Sequence, residues 1–92
     1  MSSHRRKSSE TDRVLREVLH DVLGLSSRRV AGFHDDTGLF GHLPELDSMV
    51  VAGLLTEIED RLGIVIDDDE VDGEMLESYG ALRRFVEAKR GR

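Results

Sequence analysis

Val14, Leu15, Val18, Leu19, Val22 and Leu23 form an apolar stripe that repeats at helical spacing. This predicts an amphipathic helix. It should begin near Ser9 or Glu10, where Ser9 and Asp12 approximate a capping pair, and Gly24 supplies its stop. Residues 25–46 hold no sustained periodicity and contain Gly32, Gly38, Gly41 and the single proline, Pro44. A connection of about 20 residues is long for a compact domain and is usually functional. Phe33, Leu39, Phe40, Leu43 and Leu46 can anchor it to a core. A second stripe, Val51, Leu54, Leu55, Ile58 and Leu62, predicts a helix capped by Asp47 and ended by Gly63. Ile64-Val65-Ile66 is β-branched but has no partner strand, so it reads as an extended connector. Residues 67–73 read as an acidic turn, and residues 73–77 as one short helical turn carrying Met75 and Leu76. A last helix is expected from about Ser78 to Lys89, with Tyr79, Leu82, Phe85 and Val86 inward. The expected fold is all-α, a four-helix bundle of three main helices plus one short helix. Residues 1–8 can bury nothing and read as a disordered basic tail, which leaves 9–90 as the folded domain.

Length bounds what such a domain can do. With 92 residues it buries roughly 60–65% of its unfolded surface. That leaves little room for an enzymatic cleft of roughly 300 Å³ or more. The chain has no cysteine, which excludes disulfides, thiolate nucleophiles and cysteine-based zinc sites. No apolar run approaches the ~18–20 residues of a membrane span, and the basic N-terminus lacks a secretory signal's apolar region. A soluble cytoplasmic monomer without membrane association is the expectation.

Charge narrows the partners. The formal net charge is −6, unevenly spread. Residues 35–77 hold fourteen acids and one base, Arg61, a local net of −13. Such a field repels nucleic acid, whose binding needs clustered Lys and Arg. It favours partners with basic patches and speeds their encounter.

Candidate chemistry is sparse. The four histidines, His4, His20, His34 and His42, include no i, i+4 pair. The lone Glu17-x-x-His20 lacks the repetition and facing carboxylates of a di-iron bundle. Asp68, Glu70, Asp72 and Gly73 mimic the start of a calcium loop, but Tyr79 stands where the bidentate glutamate belongs. No metal site and no catalytic residue is expected. Ser48 is the informative residue. It opens a helix just after the cap Asp47, at the end of the long loop. Unpaired N–H groups and a partial positive charge at a helix N-terminus suit a phosphate ester on its hydroxyl. No neighbouring base is evident to make it a nucleophile. A serine that performs no chemistry but can hold a phosphate-linked group suggests a carrier.

The run Leu43-Pro44-Glu45-Leu46-Asp47-Ser48-Met49, followed by Val51, Leu54-Leu55 and Ile58-Glu59-Asp60-Arg61-Leu62-Gly63-Ile64, resembles the acyl carrier protein family. The similarity continues through Ile66-Asp67-Asp68-Asp69-Glu70 and Ser78-Tyr79-Gly80-Ala81-Leu82 to Phe85-Val86, and so spans about residues 10–89. The wording of residues 43–49 and 66–74 is similar to carriers associated with exosortase-type exopolysaccharide gene clusters. The resemblance implies that a phosphopantetheinyl transferase attaches 4′-phosphopantetheine covalently to Ser48, with Asp47 serving transferase recognition. It also implies that the helix after Ser48 docks acyl-loading and acyl-transfer enzymes bearing basic patches. Common fatty-acid carriers often place acids two and five residues after the serine; here Val50 and Gly53 stand there. The expected docking residues are Met49, Val50, Gly53, Glu57 and Asp60, apolar near Ser48 and acidic farther along. Such a face suggests a dedicated partner set. Residues such as Ala52 and Met75 are candidates to line an internal cavity for cargo. Two alternatives remain at this point: an aminoacyl or hydroxyacyl carrier, and a non-carrier acidic interaction module in which Ser48 is only a helix cap.

Overall fold

The computed structural model describes the backbone of residues 3–91 and the side chains of residues 10–91. Among the described residues there are four α-helices and no strand: α1 (Ser3–Leu23), α2 (Ser27–Ala31), α3 (Ser48–Leu62) and α4 (Tyr79–Arg90). A single 3-10 turn covers Asp68–Glu70. Helix α1 packs against each of the other three. Its stripe explains this: Val14, Leu15, Val18, Leu19 and Leu23 are buried, and Val22 packs beside them. Leu54, Leu55 and Ile58 of α3 and Tyr79, Leu82 and Val86 of α4 complete the core. Each such side chain contributes roughly 1.5–3 kcal/mol of transfer free energy, whereas exposed ion pairs contribute about 0–1 kcal/mol. Packing therefore holds this bundle, and its many surface ion pairs adjust it.

The helix ends follow local chemistry. Asp47 caps α3 with extended backbone, and Gly63 ends it at φ 65°, returning its N–H to the Glu59 carbonyl. Ser78 caps α4 by accepting from the Ala81 N–H. Ile64-Val65-Ile66 is the extended connector expected, with Ile66 buried and Val65 exposed.

Three expectations are corrected. Helix α1 starts at Ser3, so Ser9 lies inside it and not at its start. Residues 3–9 contain no glycine or proline, and extending an existing helix gains one hydrogen bond per residue fixed. The tail expected over residues 1–8 is therefore helical from Ser3, and Met1 and Ser2 lie outside the described residues. The short helix falls at α2, inside the supposed irregular loop, because Ser26 accepts from the Arg29 N–H and Val30 plugs the core. Five residues are too few to show a hydrophobic period. Residues 73–77, expected as that short helix, form turns instead. Asp72 accepts from the Met75 N–H at 2.9 Å, and Met75 and Leu76 are buried as expected.

One polar cluster ties α1, the α2–α3 loop and α4 together. The Tyr79 hydroxyl donates to Asp12 Oδ1 at 2.5 Å. Arg16 Nε donates to both Asp12 oxygens at 3.0 Å. The Arg16 guanidinium also reaches the Val30 and Phe33 carbonyls, at 2.6 and 3.0 Å, and lies 4.9 Å from the Tyr79 ring centroid. Phe33 meets the same ring edge-on at 6.1 Å. Every polar group here has a partner, which is the condition for such a network to stabilise a small core.

Candidate functional site

The α2–α3 loop is fastened to the segment before α4. Leu39 N–H donates to the Glu77 carbonyl at 3.0 Å, Phe40 N–H to Leu76 at 2.9 Å, and Tyr79 N–H to Thr37 at 2.8 Å. Leu39, Leu43 and Leu46 are buried and pin the loop from below. Phe40, also expected as an anchor, is instead 39% exposed. The loop's pinned course delivers Asp47 and Ser48 to the surface, both exposed, at the start of α3.

Ser48 borders two clefts. One, of about 420 Å³, is lined by residues 40–44 and by Leu46, Asp47 and Ser48. The other, of about 220 Å³, is lined by Phe40, Ser48, Val51, Val71, Asp72, Gly73 and Leu76. Phe40 stands in both. Ala52, suggested as a cavity residue, is exposed and lines neither; Met75 is buried in the core.

The first turn of α3 is less open to an anion than the sequence suggests. Asp47 Oδ1 accepts from the Met49 and Val50 N–H groups, each at 3.0 Å. Val51 N–H goes to the Asp47 carbonyl at 3.1 Å. The capping aspartate thus takes two of the donors that a helix N-terminus would otherwise offer.

Beyond Ser48, the exposed side of α3 carries Met49, 88% exposed, together with Gly53 and Asp60. Val50 is half-buried and packs on the core. Glu57 accepts from Arg61 at 2.8 and 3.0 Å, and Arg61 also holds Asp21 of α1 at 2.8 Å. Glu57 is thus partly neutralised, while Asp60 keeps an open carboxylate face.

The weaker motifs are otherwise engaged. Glu17 pairs with Arg13, and His20 Nδ1 meets the Leu25 carbonyl at 2.5 Å. Glu70 accepts from Lys89 and from the Asp67 N–H. His4 lies outside the described side chains. Sequence reasoning missed His42 and Phe40 as cleft residues. The signal for His42 was Gly38, four residues upstream, where the ring needs space.

Comparison with known proteins decides the class. A family model described as a phosphopantetheine attachment site matches residues 13–86. The chain belongs to this family of carrier proteins. A solved structure, the solution structure of a holo acyl carrier protein from Nitrosomonas europaea, superposes with a TM-score of 0.77 at 37% identity, covering 85% of this chain and 93% of that one. A search of curated proteins finds no match. This carrier is not an enzyme, and its cofactor is covalent 4′-phosphopantetheine. Ser48 is exposed and lines both clefts, which leaves open space beside it. No helix among the described residues is long and apolar enough to cross a membrane.

Proposed function

We propose that Ser48 is the attachment residue and that the chain is an acyl carrier serving a dedicated set of enzymes. The observation that carries this reading is the placement of Ser48: exposed, first in α3, and bordered by both clefts. When bound, the arm supplies a thiol for acyl groups, which this cysteine-free chain cannot provide itself. Asp47 fixes the helix start that a phosphopantetheinyl transferase must recognise. The wording of residues 43–49 and 66–74 favours a pathway of the exopolysaccharide type. Incubation with coenzyme A, Mg²⁺ and a broad-specificity transferase should add one phosphopantetheine by intact mass. Ser48→Ala should add none while keeping the helical circular-dichroism signal, because an exposed first-turn alanine is well tolerated in a helix. Addition to the alanine variant would refute the assignment.

The docking reading rests on α3. Met49 offers apolar contact beside the arm, and Asp60 offers a charge farther along. Rim charges act mainly on association, and buried apolar anchors on dissociation. Asp60→Lys should therefore slow association with a basic partner and flatten its salt dependence. Met49→Ala should speed dissociation about tenfold, the equivalent of about 1.4 kcal/mol. Glu57→Lys should act less than Asp60→Lys, because Arg61 already holds Glu57. Surface plasmon resonance with the loading enzyme separates the two rates; equal effects of Glu57 and Asp60 would contradict the pairing argument.

A further inference from the structure

The cleft on the loop side of Ser48 presents a chemical problem for the proposed attachment. A phosphodiester there carries a negative charge beside the Asp47 carboxylate. The Met49 and Val50 amides, its natural donors at a helix start, are already taken by Asp47. Of the eight residues lining the cleft, seven are apolar, neutral or acidic, and His42 alone can carry a positive charge.

His42 lies against Gly38. A Cβ at Gly38 would lie within 2.8 Å of the Cβ, Cγ and Cδ2 atoms of His42. The imidazole therefore occupies a space that only glycine leaves open. Gly38 is in turn fixed by its bridge to Ser78. His42 N–H donates to the Leu39 carbonyl at 3.0 Å, which sets the turn carrying the ring. The side chain is exposed, and among the described residues neither ring nitrogen makes a hydrogen bond. The charged groups around it are few. Asp47, the cap of α3, shares the cleft, Glu77 precedes the Ser78 bridge to Gly38, and Glu45 of the same loop is paired with Arg29 at 2.8 Å.

We infer that His42 is a positioning residue for the prosthetic arm, its imidazole donating to a phosphodiester oxygen on Ser48. This rests on the attachment of the arm at Ser48. The contact supplies the donor that the Asp47 cap removes from the helix start, and it orients the root of the arm along the loop-side cleft. A protonated imidazole gives the charge-assisted form of this bond.

Phosphorus NMR of the holo protein tests it. The wild-type phosphodiester resonance should correlate with the His42 ring protons. In His42→Ala it should be displaced and the correlation lost, with the fold confirmed by circular dichroism. His42→Gln, which keeps a donor, should return the resonance towards the wild-type position. A resonance unmoved in His42→Ala, or displaced equally in His42→Gln, would overturn the contact. Absence of any phosphodiester resonance would overturn the attachment and this inference together.

Discussion

Tyr79→Ala should remove much of the stability of this domain. A chain of 92 residues holds about 5–14 kcal/mol in all, and truncating a fully buried aromatic costs about 3–5 kcal/mol. Tyr79 is fully buried and joins α4 to α1 through Asp12. Tyr79→Phe isolates the hydroxyl and should cost about 1–3 kcal/mol, because Asp12 then loses one of its donors in a half-buried position. The pH dependence has a definite sign. Burial raises the Asp12 carboxyl, but hydrogen bonds from Arg16 and Tyr79 and the charges of Arg16 and Arg83 outweigh it and leave it below the ordinary 3.8. Its stabilisation is therefore complete above the ordinary aspartate range and disappears as pH falls through the lowered folded value. Burial and the Asp12 carboxylate raise the Tyr79 hydroxyl well above its ordinary 10.0, against smaller opposing effects of Arg16 and Arg83. That contribution is complete below pH 10 and lost as pH climbs towards the raised value. Urea melts of wild type and Tyr79→Phe across pH check both limbs. Tyr79→Phe should lose the alkaline limb and reduce the acid one; an unchanged profile would show that the network carries no stability.

Two glycine-to-alanine changes in helices should have opposite signs. Helix propensity alone favours alanine over glycine by about 1 kcal/mol at either site. Gly53, midway along α3, has nothing within 4 Å of the point where an alanine methyl would stand, so Gly53→Ala should stabilise by about 0.5–1 kcal/mol. Gly80 in the first turn of α4 differs. Its N–H donates to the Asp35 carbonyl at 3.0 Å, and a Cβ would lie 2.8 Å from that same oxygen and from Asp35 Cβ. Backbone cannot rotate away as a flexible side chain can. Overpacking of this kind costs about 1–3 kcal/mol, more than the propensity gain, so Gly80→Ala should destabilise by about 1–2 kcal/mol. Displacing residues 35–39 also loosens the loop that delivers Ser48, so the variant should be modified more slowly by the transferase. Denaturation midpoints of both variants decide it; stabilisation at Gly80 would mean that the loop yields freely.

What the sequence made legible was what repeats. The stripes of α1, α3 and α4 have enough turns to show a 3.6-residue period, and Asp47, Ser78, Gly24 and Gly63 mark their ends by local chemistry. The five residues of α2 show no period. Its existence depends on Ser26 capping and on Val30 meeting a core that no local window reveals. Residues 73–77 do not run on as a helix, because the Leu76 and Glu77 carbonyls accept from the Phe40 and Leu39 N–H groups of the distant loop. At the site, Asp47 and Ser48 were legible as neighbours in sequence. The clefts were not, since Val71, Asp72, Gly73 and Leu76 reach Ser48 only through the folded chain. Nor was the bond from Arg61 to Asp21, which spans forty residues and fixes the guanidinium that also holds Glu57.

The central claim, that the arm sits on Ser48, is tested most directly by peptide mapping of the holo protein. Tryptic cleavage after Arg29 and Arg61 releases residues 30–61, in which Ser48 is the only serine. Ser26 and Ser27 fall in residues 17–28, and Ser78 in residues 62–83. The phosphopantetheine mass should appear wholly on the 30–61 peptide, with fragment ions placing it at Ser48. Its appearance on either of the other two peptides, with 30–61 unmodified, would contradict the account.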